Sequence, residues 1–119
     1  MTKFSVPIKP MSVNEAWKGQ RYKTDAYKKY EKSLLLMLPK LKIGEGQLGI
    51  DIEYGFSNSA SDVDNPTKLL LDIMQKKYSF NDSRIYELTL RKTIVKKGKE
   101  FISVYIEILE NSNLKSIKK

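Results

Sequence analysis

The sequence contains no cysteine and no histidine. Their absence excludes disulfide bonds, zinc sites built from Cys or His, thiol nucleophiles, Ser-His triads and nucleases whose metal is held by histidine. Any catalysis must therefore come from carboxylates, lysine, arginine, tyrosine or a bound metal.

Long apolar runs are also missing. Residues 1–10 lack the apolar core of a signal peptide, and no stretch approaches the ~20 apolar residues that a membrane-spanning helix needs. We therefore expect a cytoplasmic protein. Its 119 residues, 40% of them hydrophobic, are enough for one domain and too few for two.

Acidic residues are outnumbered by basic ones. There are 14 Asp and Glu against 22 Lys and Arg, which gives a formal charge of +8. This balance favours polyanionic partners such as nucleic acid or an anionic membrane surface.

Hydrophobic periodicity predicts the elements in order. Strands are predicted over Phe4–Ile8 and Leu48–Phe56, and an irregular ordered loop over Lys9–Lys23. One helix runs from a Thr24 cap to Pro39, and a second starts with Asn65 as cap and Pro66 at its first position and ends near Lys77.

Two further alternating runs complete the pattern. Ile85–Val95 and Phe101–Leu109 are predicted to form a hairpin with Gly98 in its turn. The order β-α-β-α-β-β predicts an α+β domain over residues 1–109, with two helices packed on a small, mainly antiparallel or mixed sheet. Residues 110–119 are expected to form a basic, flexible tail.

Acidic residues cluster around the start of the second helix. Asp62 and Asp64 are two residues apart, Lys68 and Asp72 follow at steps of four, and Asp82 lies in the loop beyond the helix. Hard oxygen ligands beside a lysine suit metal-assisted phosphodiester hydrolysis. The same spacing also suits helix caps and an exposed i,i+4 ion pair, and spacing alone favours this second interpretation, because an Asp-x-Asp near a helix start is common.

The order of these residues resembles a known family. The pattern Asp62-x-Asp64-Asn65-x-x-Lys68, then Asp72, then Asn81-Asp82, is similar to the signature of RusA family Holliday junction resolvases. Val13-Asn14 with Trp17 and a basic run resembles the family's opening segment.

The resemblance implies a homodimeric, Mg²⁺-dependent endonuclease of DNA recombination and repair, often phage or prophage encoded. Such an enzyme resolves four-way junctions by paired symmetric nicks that leave 5′-phosphates, and Mn²⁺ is a possible substitute for Mg²⁺. Carried onto this sequence, the family's catalytic and metal-binding acids are Asp62, Asp64 and Asp82, and its essential lysine is Lys68. The supporting residues are Asn65, Asp72 and Asn81.

Two positions depart from the family pattern. Ser61 stands where a basic residue is frequent, and Asn81 stands where a further acid is frequent. Because Asn carries no charge, the departure at Asn81 bears on metal affinity or metal preference more than on the reaction type.

Basic and aromatic residues interleave in the predicted loop, a combination suited to phosphates and unpaired bases. The predicted DNA-binding residues are Asn14, Trp17, Lys18, Arg21, Lys23, Arg91 and Lys92. Trp17 suits a core position equally well. Tyr78, Phe80 and Tyr86 flank the third acid, where they either line the site or pack beneath it.

Two other functions use the same residues. A non-catalytic nucleic-acid-binding module would use the basic surface and treat the acids as caps. A metal-dependent phosphohydrolase of small nucleotides would use the acids and leave the basic loops without a role.

Overall fold

The computed structural model describes residues 2–12, 16–18 and 22–109. Its strands are β1 (Thr2–Val6), β2 (Trp17–Lys18), β3 (Tyr22–Lys23), β4 (Leu48–Phe56), β5 (Ile85–Ile94) and β6 (Phe101–Ile108). Its helices are α1 (Asp25–Met37) and α2 (Asp64–Tyr78), and a short 3₁₀ turn covers Asp82–Arg84. The predicted α+β class and element order are confirmed.

A four-stranded mixed sheet has the order β1-β6-β4-β5. The central strand β4 runs parallel to β5 and antiparallel to β6, and β1 closes the other side antiparallel to β6. The register places Ile50 beside Ile106 on one side and Leu88 on the other. The apolar positions of adjacent strands therefore share one face.

The predicted hairpin between β5 and β6 is wrong, because β4 lies between these two strands. The helix α2 carries the chain back along β4, so β5 starts beside Leu48 and runs parallel to β4. Residues 95–100 then step across the end of β4, where the backbone N–H of Val95 donates to the carbonyl of Phe56. Alternating apolar residues and a glycine turn predict the positions of β5 and β6, but they do not show that another strand lies between the two.

The first helix has the predicted bounds. The Thr24 hydroxyl accepts from the backbone N–H of Tyr27 at 3.1 Å, and the helix ends two residues before Pro39. The second helix begins earlier than predicted, at Asp64, so Pro66 occupies the third helical position. Proline is tolerated there because the first backbone N–H groups of a helix have no partner within the helix.

Both helices cover the same face of the sheet. Their apolar sides join that face in one core, which includes Tyr27, Tyr30, Leu34, Leu70, Ile73, Met74, Ile52, Tyr54, Ile102 and Val104. Tyr27 and Tyr30, on the apolar side of α1, are both buried in this core. On β4 a glycine is required at Gly55, because an added Cβ would overlap the ring of Phe101.

The segment before α1 differs from the predicted irregular loop. β1 ends at Val6, before Pro7, and β2 and β3 pair antiparallel as a two-stranded ribbon. The predicted DNA-binding residues Asn14 and Arg21 and the predicted tail 110–119 lie outside the described residues.

Within the described ranges, neither helix has the length and apolar character needed to cross a bilayer.

Candidate active site

The acidic loop between β4 and α2 places Asp62 and Asp64 at the N-terminal end of the helix. Asp62 accepts from the backbone N–H of Asn65 at 2.9 Å and from its side-chain amide at 3.1 Å. The N-cap position belongs to Val63, Asp62 satisfies a backbone N–H of the first turn from the residue before it, and Asn65, predicted as the cap, orients the Asp62 carboxylate instead. Both aspartates are exposed, and the helix dipole favours negative charge at this end.

A buried hydrogen bond fixes this end of α2 on the sheet. The Tyr54 and Thr67 hydroxyl oxygens lie 2.7 Å apart, and the Thr67 hydroxyl donates to the carbonyl of Val63. Because the Thr67 proton is used in that bond, the Tyr54 hydroxyl is the donor to Thr67. Burial raises the pKa of Tyr54 well above its usual value, so the phenol remains a donor.

Lys92 holds the loop that leads to Asp62. Its Nζ donates to the carbonyls of Ser59 at 2.9 Å and Ser61 at 2.7 Å. Lys92 was predicted to bind DNA, and the structure gives it this loop contact. Its neighbour Arg91 lies on the opposite face of the sheet, 3.2 Å from an Asp51 carboxylate oxygen. The two basic residues therefore do not form one surface.

Lys68 and Asp72 lie exposed on α2, one and two turns after Asp64. No ion pair joins Lys68 to Asp64 or Asp72 in the parts of the chain that the structure describes. The i,i+4 ion pair considered from the sequence is therefore not formed, and the Lys68 ammonium faces solvent beside the acidic loop.

Asp82 lies at the other end of α2. Its backbone N–H donates to the Gln75 side chain at 3.1 Å, and Gln75 lies in the last turn of the helix. Fifteen helical residues span about 22 Å, so one chain keeps Asp82 apart from Asp62 and Asp64. Asn81 caps the 3₁₀ turn by accepting from the backbone N–H of Ser83 at 2.8 Å.

The three predicted acids are therefore not gathered into one metal site. Among residues 2–12, 16–18 and 22–109, no group of three or more acidic residues is close enough to hold a metal ion. Mg²⁺ commonly uses only one or two carboxylates, completed by water and substrate phosphate. The exposed pair Asp62 and Asp64 fits that smaller requirement, and Asp82 of the same chain does not join it.

The aromatic residues near the third acid separate into two groups. Tyr78 and Phe80 are buried, and the Tyr78 hydroxyl donates to the carbonyl of Pro39 at 2.7 Å. Burial raises the pKa of Tyr78 to about 12. Tyr86 is 61% exposed at the start of β5.

The predicted basic contacts before α1 are only partly described. Trp17 and Lys18 belong to β2, and the Lys23 ammonium lies 4.9 Å from the centre of the Tyr27 ring. The DNA-binding assignments remain predictions.

Sequence reasoning missed the residues that position the site. Neither Tyr54 nor Thr67 is among the predicted site residues, although each carries a buried hydroxyl. A buried Tyr requires a hydrogen-bond partner, so Tyr54 was a usable signal. Nothing in the sequence indicated Gln75 or the loop contact of Lys92.

Two exposed carboxylates with a lysine one turn later, on a strongly basic chain, are the groups that metal-assisted cleavage of nucleic acid requires. The site thus has the groups that a metal-dependent nuclease uses. A family model described as Endodeoxyribonuclease RusA matches residues 7–108. The chain belongs to the RusA family of endodeoxyribonucleases. A comparison with curated proteins finds no match.

Proposed function

We propose that this protein is a Mg²⁺-dependent endonuclease of recombination and repair that resolves four-way (Holliday) DNA junctions by paired symmetric nicks. The observation that carries the proposal is the exposed pair Asp62 and Asp64 at the start of α2, with Lys68 one turn later, in a RusA family chain. The nicks would leave 5′-phosphate ends.

Each residue of the site has a proposed role. Asp62 and Asp64 would hold Mg²⁺, or Mn²⁺ in its place, and Asn65 keeps the Asp62 carboxylate oriented. When bound, the metal supplies an activated water and offsets charge that develops on the phosphate. Lys68 binds a phosphate oxygen of the cleaved strand. Asp72 supports the site from the next turn of α2.

A homodimer would form through β5. This strand is at an edge of the sheet, and in the described chain no strand pairs with its outer side. Leu88 and Ile94 share the helix-covered face with Ile50 and Phe56, yet they are 42% and 50% exposed because the helices do not reach them. Two copies of an edge strand pair antiparallel about a two-fold axis, which would cover these side chains.

Such pairing would also complete the acidic site. Asp82 precedes the start of β5, whereas the Asp62 loop is held to the other end of β5 by Lys92. Antiparallel pairing of the two β5 strands would bring the partner's Asp82 towards Asp62 and Asp64. Each of the two sites would then act on one strand of a two-fold symmetric junction.

The first experiment is cleavage of a synthetic four-way junction with Mg²⁺, Mn²⁺ or EDTA, beside a linear duplex of the same sequence. We expect paired nicks that require the metal and are lost in Asp64→Asn. Asp25→Asn is the matched control, since Asp25 is an exposed aspartate in the first turn of α1. Junction binding without cleavage under every metal would refute the proposal and favour a non-catalytic binding module.

Mixed dimers test the shared site. Asp64→Asn and Asp82→Asn should each be inactive alone, but mixing them should restore nicking, since one site in each mixed dimer keeps both acids. If the mixture stays inactive while the two variants demonstrably exchange subunits, each site lies within one chain and the shared arrangement is wrong.

A further inference from the structure

A cavity of about 290 Å³ opens beside the acidic loop. It lies between the segment that follows β1, the end of β4 and the first turn of α2. Asp62 and Asn65 form part of its wall. Any occupant therefore lies next to Asp62, one of the two carboxylates that the proposed function uses.

Part of the cavity wall is apolar. Pro10, Phe56 and Pro66 are buried, Met11 is half-buried, and all four line the space. Phe56 stacks on Tyr54 with ring centres 5.7 Å apart, so its ring is held by the core. The cavity volume lies at the lower limit of small-ligand sites, which begin near ~300 Å³. It suits one flat ring system better than a longer segment.

The charged residues at the rim argue against an anion as the occupant. Lys9 is the one cation among the lining residues, against the carboxylates of Asp62 and Glu100. Glu100 is fixed by hydrogen bonds from the Ser57 hydroxyl at 2.7 Å and the Gly98 N–H at 2.8 Å. These carboxylates would repel a phosphate inside the cavity, and the Glu100 carboxylate, which the proposed metal site does not use, is an acceptor for the amino or ring N–H groups of a neutral base.

The rim also provides a preformed polar contact. Asn58 accepts from the backbone N–H of Ala60 at 2.8 Å, which shapes the loop and leaves its amide nitrogen as a donor beside the cavity. A flipped base is held by hydrogen bonds to its edge and by apolar contacts on its faces. The polar rim of this cavity offers the first kind of contact, and the apolar part of its wall offers the second.

We propose that this cavity binds one unpaired nucleobase of the cleaved DNA strand, flipped out next to the phosphate that is cut. The inference rests on the proposed junction-cleaving function and extends it. Base capture would fix the position of the scissile phosphate against Asp62. It would also favour junctions over linear duplex, because bases at a crossover are easier to unstack.

The test uses junctions that carry the fluorescent base 2-aminopurine at single positions on either side of the cut. Binding is measured in EDTA, so that no cleavage interferes. Ala60→Phe fills the cavity from the loop, and Ser59→Phe adds the same ring to the neighbouring exposed residue, which does not line the cavity. Met11→Trp fills the cavity from the segment after β1, and thermal melting checks that each variant folds.

We expect the fluorescence at one position to rise several-fold on binding of the wild type and of Ser59→Phe. Ala60→Phe and Met11→Trp should lose most of that rise while they still bind the junction. Two results would refute the base pocket and leave the nuclease function intact. One is that the wild type binds and cleaves the junction but 2-aminopurine fluorescence rises at no position. The other is that Ala60→Phe and Met11→Trp both give the full rise. If the wild type does not bind junctions at all, the proposed function fails and the inference with it.

Discussion

The buried hydroxyl pair between β4 and α2 gives a quantitative prediction. Tyr54→Phe removes the donor to Thr67, but the Thr67 hydroxyl keeps its bond to the carbonyl of Val63. We expect this change to lower the free energy of unfolding by about 1 kcal/mol, the usual net value of one such bond. Phenylalanine fills the same space, so no cavity adds to the cost.

Thr67→Val should cost more. It leaves the Tyr54 hydroxyl buried without its acceptor and removes the donor to Val63, so the loss should be about 2–3 kcal/mol. In the double variant Tyr54→Phe/Thr67→Val the orphaned phenol is gone, and the total should fall below the sum of the single changes by about 1 kcal/mol.

Urea denaturation of the four proteins at pH 7 measures this coupling. Equal slopes against urea are needed for the comparison. If the two single losses simply add, the hydroxyl groups do not interact in solution, and the account of how α2 is fixed on β4 is refuted.

Three further predictions follow from other contacts. Lys92→Met should slow junction cleavage more than it weakens junction binding. It should also leave the salt dependence of binding unchanged, whereas loss of a phosphate contact would lower the slope of log K against log salt concentration by about one. Gly55→Ala should lower the free energy of unfolding by about 1–3 kcal/mol, because the added Cβ overlaps the ring of Phe101. Phe101→Ala should relieve that overlap. A melting temperature of Gly55→Ala equal to that of the wild type would contradict the prediction. Burial, with Glu31 and Asp72, raises the pKa of Tyr27 to about 12. In the unfolded chain this phenol ionises at pH ~10, so the free energy of unfolding should fall as the pH rises from 10 to 12, by at most ~1.4 kcal/mol per pH unit. Urea titrations of Tyr27→Phe over the same pH range should show a smaller fall.

The helices show how much of the fold the sequence predicts. Thr24 and Pro39 predicted α1 because a cap and a stop act through the local backbone. The start of α2 was placed late because Asn65-Pro66 is a strong local signal, whereas Val63 is the N-cap and the side chain that binds the first turn comes from Asp62. Strand positions were predicted from alternation, but the partners of β5 were not, since pairing depends on where α2 carries the chain.

The sequence predicted which residues belong to the candidate site better than it predicted how they are arranged. Asp62, Asp64 and Lys68 lie together because they share one loop and one helix turn. Asp82 was expected beside them as the third acid of the family pattern. The loop that carries Asp82 lies instead at the opposite end of α2, because of the length of this helix and the parallel pairing of β5 with β4. Such distances depend on tertiary structure and are absent from a local motif.

The place of β6 in the sheet sets when this domain can fold during synthesis. β6 is the last of the described strands to be made, yet it lies between β1 and β4 and pairs with both. Before residues 101–108 leave the ribosome, β1 has no partner and β4 has only β5. In a nascent chain without β6, one edge of β4 is unpaired, and the sheet closes late, through contacts between residues about a hundred positions apart, such as Thr2 and Ile106.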